Sequence, residues 1–357
     1  VLGEDFGNPS SAHATGDRAR RYLTKARNNV ADLIGGDPSN LIFTGSGTEA
    51  NNMALMSCLS EFKKSSQIIT TSVEHSSILK ACDHLFEKGV DIVYLEVDSS
   101  GLVNLQQLEN AISDKTSLVS IQWVNNETGV IQPIKNISKI CRSKDVSFHT
   151  DAAQAIGKTE INIETLSIDF LTLTGHKFHG PAGVGVIYGK NIDQIAPLFF
   201  GGPQEFCLRP GTENLSGIVG AGEAAKLRNA DLLKAIEKIR SLRDLFEAKL
   251  FKNVPDIEIN GDVESRICNT SNIRFKGLDG LALIARLDQE GIRCSQSSAC
   301  TNMRPEPSYV LRAMGFSDDE AYSAVRFSFS EENTLEEVEI AIKIISELCK
   351  KLRQFYA

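Results

Sequence analysis

Val146-Ser147-Phe148-His149-Thr150-Asp151-Ala152-Ala153-Gln154, followed downstream by Ile168-Asp169-Phe170-Leu171-Thr172-Leu173-Thr174-Gly175-His176-Lys177, is the stretch on which the fold turns. Each half is a short apolar run that reads as a strand and ends in polar residues able to do chemistry. Outward from it, strand-like runs recur at Leu41–Thr44, Gln67–Ser72, Asp91–Leu95, Leu118–Trp123 and Val184–Tyr188, beside Val146–Thr150 and Phe170–Thr174 themselves. Helical patterns lie between or before them: residues 11–34, Glu49–Phe62, Ser77–Lys88, Leu105–Ile112 and Ile134–Arg142. Alternation of this kind predicts an α/β fold, a mostly parallel seven-stranded sheet with helices on both faces. Ligands on such sheets bind beyond the carboxyl ends of the strands, where most of the polar motifs fall.

From Asn214 to about Phe251 the pattern is that of one long helix, with Leu227, Ile236, Ile239, Leu242, Leu245 and Leu250 among its apolar residues. Beyond it the composition shifts. Strand-like runs at Ser271–Phe275 and Ala324–Phe329 and helical patterns at Leu278–Gln289 and Thr334–Phe355 read as a smaller α+β domain. The expected division is a large domain over residues 1–230 and a small C-terminal domain over 231–357.

The chain has 357 residues, 41% of them hydrophobic, and a formal net charge of −8. No run nears the ~20 apolar residues of a membrane-spanning helix. Val1-Leu2-Gly3-Glu4-Asp5 has neither the basic region nor the apolar core of a secretory signal. Without a basic block, direct nucleic-acid binding is not expected. The eight cysteines are scattered, with no C-x-x-C pair. That argues against a metal site or a disulfide framework and fits reduced thiols in a cytoplasmic protein. Most are expected to be small core residues.

Lys177, after a strand and a small Thr-Gly turn, is a candidate Schiff-base former, and Asp151 is a candidate partner for a pyridinium nitrogen. Pyridoxal 5'-phosphate needs both an amine to hold its aldehyde and a carboxylate to keep its ring an electron sink. A surface lysine and a helix N-cap are the plainer readings of the same two residues. Thr44-Gly45-Ser46-Gly47-Thr48 follows a strand and opens a helix, which suits a phosphate. Arg326, in an apolar strand-like run, needs an anionic partner: a substrate carboxylate or a neighbouring Glu. Cys300 sits among Ser297, Ser298 and Ala299 and before Thr301-Asn302-Met303-Arg304-Pro305, a polar stretch that reads as an exposed loop. Thiolate character and access would then govern its role. Cys294, after Ile292, reads as a packed strand residue.

Taken in order, several segments resemble the cysteine desulfurases among the type I pyridoxal-phosphate enzymes, of the group with the longer catalytic loop. They are Gly7–His13, Phe43–Asn52, Glu74-His75, Val124–Val130, Asp151–Gln154, Gly175–Lys177, Arg209–Asn214, Ser298–Thr301 and Arg326–Ser328. The resemblance implies conversion of L-cysteine to L-alanine, with Cys300 taking the sulfur as a persulfide and passing it to an acceptor protein. It implies that Lys177 holds pyridoxal phosphate and moves the Cα proton, and that His75 stacks on the ring as a catalytic residue. Asp151 would pair with the ring nitrogen and Gln154 with the phenolic oxygen. Gly47, Thr48, Thr174 and His176 would hold the phosphate, and Thr212 would reach it from a second subunit, which implies a homodimer. Asn126 and Arg326 would face the substrate carboxylate.

Iron–sulfur assembly, tRNA thiolation and DNA phosphorothioation are the settings such enzymes serve, and Cys294–Ser298 with Arg304–Pro307 is similar to those of the last. The sequence opens at the motif that in the family follows a Tyr-Leu-Asp-x-x-Ala-Thr-Thr segment. It ends at Ala357, where scaffold-docking members carry a further tail. An aminotransferase or selenocysteine lyase is the alternative on the same fold, and a non-catalytic, partner-binding descendant the alternative of another class.

Overall fold

The computed structural model describes residues 1, 3, 7–57, 66–296 and 306–356. The chain falls into two compact units. The first comprises residues 1–95, 105–123 and 133–232; the second comprises 96–104, 124–132 and 233–357.

The first unit is built on seven strands: β1 (Leu41–Thr44), β2 (Gln67–Thr71), β3 (Asp91–Leu95), β4 (Thr116–Ser120), β5 (Ser147–Asp151), β6 (Phe170–Thr174) and β7 (Gly185–Gly189). Their order is β1-β7-β6-β5-β4-β2-β3. Only β7 runs against the rest, antiparallel to both β1 and β6, so the sheet is mostly parallel. Helices α1 (Ala14–Ile34), α2 (Gly47–Ser57), α3 (Ser76–Glu87), α4 (Leu105–Ala111) and α5 (Ile134–Ser143) alternate with the strands. Most of these strands are buried along their length, β1, β2, β6 and β7 completely, as expected for a sheet covered on both faces. Apolar clusters such as Ile42, Met53, Phe170 and Ile187, and Leu55, Ile68, Ile78 and Leu118, hold the helices to the sheet.

The parallel strands deliver their carboxyl ends to one edge. Gly185 sets the level of that edge by pairing with Thr44 on one side and Thr174 on the other. A Cβ at Gly185 would lie 2.2 Å from the Ser46 carbonyl carbon, so only glycine lets the β1–α2 loop cross above it.

α6 (Leu215–Asn253) has residues in both units. In the second unit β8 (Ile257–Ile259), β9 (Thr270–Phe275) and β10 (Ala324–Ser328) form an antiparallel sheet in the order β10-β9-β8. Helices α7 (Gly280–Gln289), α8 (Tyr309–Ala313), α9 (Asp318–Tyr322) and α10 (Leu335–Tyr356) complete it. Its core centres on Phe246, Phe275 and Phe327, with ring centroids of Phe246 and Phe327 5.0 Å apart. Such pairs contribute about 0.5–1.5 kcal/mol beyond their buried area.

Several boundaries differ from the sequence reading. β4 ends at Ser120, not Trp123, because the Gln122 N–H turns to the Glu74 carboxylate instead of a neighbouring strand. Asp151 is the last residue of β5 rather than the first after it. The expected end of the helix at Phe62 lies outside the described residues. β8, α8 and α9 are three to five residues long, too short to leave a periodic signature. Cys294 is not a strand residue: it precedes a single bridge between Ser295 and Arg326. It does pack against the core of the second unit, and burial pushes its thiol up to about 12. No helix among the described residues is long and apolar enough to cross a membrane.

Candidate active site

The first unit gathers most of the expected site residues at the carboxyl edge of its sheet. The β1–α2 loop brings Gly47 and Thr48 there. The first intrahelical bond of α2 runs from Ala50 N to Ser46 O, so the Gly47 and Thr48 N–H groups precede it at the positive end of the helix dipole. Glu49 braces this loop: one carboxylate oxygen accepts from Gly45 N at 2.9 Å and the other from Arg209 Nε at 2.9 Å. Thr174 closes β6 beneath the loop, and a Cβ on Gly47 would sit 3.4 Å from its side chain. The Thr174 hydroxyl donates to Val184 O at 2.9 Å, so its 3.1 Å contact with His176 Nδ1 makes the imidazole the donor. Burial, then the charges of Lys177 and Lys158, hold His176 below the ordinary imidazole range. Lys177 follows on a short 3₁₀ turn, Gly175–Phe178, half-buried.

Asp151 is buried, and its two oxygens have separate donors: Ala153 N reaches Oδ1 at 2.9 Å and Asn51 Nδ2 reaches Oδ2 at 2.7 Å. A carboxylate accepting two hydrogen bonds is fixed in place and kept ready for a cationic partner. His75 is the N-cap of α3, a position usually held by Ser, Thr, Asp or Asn. Its Nδ1 accepts from Ser77 N at 3.1 Å and meets Ser77 Oγ at 2.8 Å. Beside it, Glu74 is fully buried, accepting from Thr71 Oγ1 at 2.7 Å and from Gln122 N at 3.0 and 3.1 Å. Burial pushes its carboxyl up to about 8; the Thr71 and Gln122 hydrogen bonds oppose this and the Asp151 charge adds to it. Gln154 is half-buried, its amide oxygen 3.4 Å from Lys158 Nζ. Thr212 is exposed.

Asn126 and Arg326 belong to the second unit, where they meet: Arg326 Nη1 donates to Asn126 O at 2.8 Å. Arg326 Nε and Asn126 Oδ1 are both buried and have no hydrogen-bond partner among the described residues. Desolvation lowers the Arg326 guanidinium from its ordinary value, and the nearby Glu127 carboxylate opposes that shift. Glu127 is itself committed to Ser308 Oγ, the cap of α8. An arginine so placed, with a donor to spare, is suited to an arriving carboxylate. Cys300 lies outside the described residues, as does the rest of Ser298–Thr301.

Sequence reasoning missed Asn51, Ser77, Thr172 and His149. Asn51 stands inside the quoted Phe43–Asn52 motif, but nothing local marks an amide on the second turn of a helix as a partner of a residue on β5. His149 is completely buried between Ser120 Oγ (2.8 Å to Nδ1) and Thr172 Oγ1 (3.2 Å to Nε2), and burial depresses it to about 3.

The sequence matches the model of the aminotransferase class-V family over residues 2–340. It is 41% identical over 352 residues to a cysteine desulfurase of Nostoc sp., covering 99% of this chain and 88% of that one. Among solved structures, it is similar to a NifS-like protein with a TM-score of 0.92 and 37% identity, covering 98% of this chain and 93% of the other. It is also similar to DndA from Streptomyces lividans, with a TM-score of 0.79 and 32% identity over 92% and 93% of the two chains.

Proposed function

Because the chain belongs to the aminotransferase class-V family, we propose that it is a pyridoxal-phosphate-dependent cysteine desulfurase. It converts L-cysteine to L-alanine and passes the sulfur, carried as a persulfide on Cys300, to an acceptor protein. The observation that carries this reading is the Asp151 carboxylate, held by two donors at the end of β5, with Lys177 just past the end of the adjacent strand β6. The named cysteine desulfurase relative supports the choice of reaction.

The residues present fit the cofactor. The first N–H groups of α2 and the Thr48 hydroxyl suit a phosphate dianion, and His176 adds a polar ring on the same edge. The buried, unpartnered Arg326 Nε and Asn126 Oδ1 are left for groups of an amino-acid ligand. When bound, pyridoxal phosphate supplies an electron sink for the bonds at the substrate Cα.

The protein's own part is then to position and to move protons. Asp151 would keep the ring nitrogen protonated, Gln154 would meet the phenolic oxygen, and His75 would cover a ring face. Lys177 Nζ would hold the cofactor and, once free, would carry the substrate Cα proton. Arg326 grips the substrate carboxylate. The Cys300 thiolate attacks the substrate sulfur: an S–S bond forms, the C–S bond breaks, and the electron pair stays on carbon, which is protonated to alanine. Thr212, exposed in a single chain, completes the phosphate site of a second subunit in a two-fold dimer. Exposed Phe199, Phe200 and Phe206 close to it in sequence support that assembly.

The test is incubation with L-cysteine as sole substrate, following alanine and trapped persulfide. Alanine appearing only with pyridoxal phosphate supports the reading; pyruvate and ammonia in place of alanine would contradict it.

A further inference from the structure

The hydrogen bonds around Asp151 form one connected set whose proton positions can be read off. A carboxylate oxygen only accepts, so the Asn51 atom 2.7 Å from Asp151 Oδ2 is the amide nitrogen. That nitrogen's second hydrogen points to Ser77 Oγ, 2.8 Å away. Ser77 Oγ, already accepting, directs its own proton to His75 Nδ1 at 2.8 Å. The same Nδ1 accepts the Ser77 backbone N–H. A backbone N–H has nothing but a proton to offer, so Nδ1 carries none and the neutral ring bears its hydrogen on Nε2. On the other side the Asn51 carbonyl accepts from Thr172 Oγ1. Thr172 therefore accepts at its oxygen from His149 Nε2. His149 is neutral, being depressed to about 3 by burial. Asn51 is 2% exposed, and its three amide contacts, to Asp151, Ser77 and Thr172, lie inside the first unit.

We propose that Asn51 is a positioning residue that holds Asp151 and His75 as one oriented unit, with His75 fixed as the Nε2–H tautomer by Ser77. Its single planar amide donates to the carboxylate proposed for the ring nitrogen. Through Ser77 it also reaches the imidazole proposed to cover the ring face. Its own orientation is locked from behind by Thr172 and His149. The consequence is directional: His75 presents a proton, not a lone pair, at Nε2, the nitrogen that faces away from the α3 cap. Among these residues, Asn51→Asp is the most damaging conservative change. It replaces two donors by acceptors and sets a second carboxylate against Asp151 Oδ2.

This inference rests on the proposed cofactor site, and the experiment separates the two. Full-length protein labelled with ¹⁵N-histidine is examined by long-range ¹H–¹⁵N NMR, with and without pyridoxal phosphate, the His75 signals being assigned from the His75→Gln spectrum. The expected result is the Nε2–H pattern for His75 in the cofactor-free chain. In parallel, Asn51→Asp is expected to retain pyridoxal phosphate at least about tenfold more weakly, because a charge-assisted hydrogen bond becomes a repulsion. Its bound cofactor should show a shifted visible circular dichroism band. Ser77→Ala, which leaves the Asn51–Asp151 contact and the Ser77 N–H to His75 Nδ1 bond intact, should retain the cofactor within about twofold of wild type and keep the Nε2–H pattern, with the Nδ1 resonance shifted by loss of the hydroxyl. If Asn51→Asp does not fold, Asn51→Ser, which keeps a small donor, is measured in its place and should retain the cofactor more weakly than wild type, with a shifted circular dichroism band. A His75 ring carrying its proton on Nδ1, or an Asn51 variant with unchanged cofactor retention and spectrum, overturns the proposal. A wild-type chain that takes up no pyridoxal phosphate would overturn the cofactor reading, while the tautomer result would still stand.

Discussion

Asn51 on α2 and Asp151 at the end of β5 are joined by a 2.7 Å hydrogen bond across 100 residues of sequence, and the bond is buried. One partner lies on the second turn of a helix that starts at the proposed phosphate site, and the other ends the strand proposed to serve the ring nitrogen. The two ends of the cofactor site are thereby tied together by a direct contact of the protein with itself. The free energy at stake is that of a charge-assisted hydrogen bond in a low-dielectric setting, about 1.5–3 kcal/mol.

Lys177 is expected to be the residue that binds the cofactor covalently. The purified protein loaded with pyridoxal phosphate should be yellow, and borohydride followed by peptide mapping should place the label on the peptide containing Lys177. The Lys177→Ala variant should carry no covalent label. A label on Lys158, the other lysine near His176, would move the assignment.

Arg326 is expected to recognise the substrate carboxylate. Arg326→Gln should weaken L-cysteine binding by about thirtyfold or more, since a buried ionic fork is lost. The informative comparison is with cysteamine, which lacks the carboxylate. Wild type should prefer L-cysteine strongly, and the variant should bind both alike. An unchanged preference would assign Arg326 to a structural pair with Glu127.

Stability should fall above about pH 6.5 and below about pH 4.5, through two different buried groups. Glu74 has a folded value raised from 4.5 to about 8, so the native state holds its proton more tightly than the unfolded chain. Its contribution is complete below about 4.5 and is lost as pH rises through about 8. His149 has a folded value lowered from 6.5 to about 3, so the unfolded chain binds the proton first. Stability then drops as pH falls from about 6.5 toward about 3. Melting temperature against pH should flatten between about 6.5 and 8 in Glu74→Gln and between about 4.5 and 3 in His149→Gln. Parallel curves for either variant and wild type would contradict the assignment of that group.

Glu205, Phe206 and Cys207 form a run of three non-glycine residues with φ of 45°, 60° and 66°. Left-handed backbone costs about 1–2 kcal/mol per residue. The turn persists because buried Glu205 accepts from Phe43 N at 2.7 Å and from Arg27 Nη1 at 3.0 Å. Cys207 is exposed and its φ is open to glycine without cost. Cys207→Gly should therefore stabilise the protein by about 1 kcal/mol, read as a higher urea midpoint with an unchanged slope. Cys207→Val should do the reverse.

Most of the sheet was legible in the sequence because its strands are short apolar runs punctuated by helical patterns. The parallel order follows from that alternation. The endpoints were not, because they depend on distant partners: nothing near Trp123 announces that Gln122 N will turn to Glu74. The site shows the same division. Lys177, Asp151 and His75 stand at the ends of strand-like runs, where position alone draws attention. Asn51 and His149 lie inside a helix and a strand, and their role exists only once α2, β4, β5 and β6 are side by side. Cys294 was misplaced for a related reason. An apolar neighbour signals burial, but burial here comes from packing against the core of the second unit and not from a strand.

The central claim is that Cys300 takes sulfur directly from the substrate, and Cys300→Ser tests it most directly. The variant should still bind pyridoxal phosphate and still respond spectroscopically to L-cysteine, because Lys177, Asp151 and Arg326 are untouched. Alanine formed per enzyme, measured with and without a reductant to drain the persulfide, should fall by at least about a hundredfold. A hydroxyl is far poorer than a thiolate at attacking sulfur. Alanine formation close to wild type in Cys300→Ser would contradict the persulfide route and return the chain to the lyases and aminotransferases of its fold.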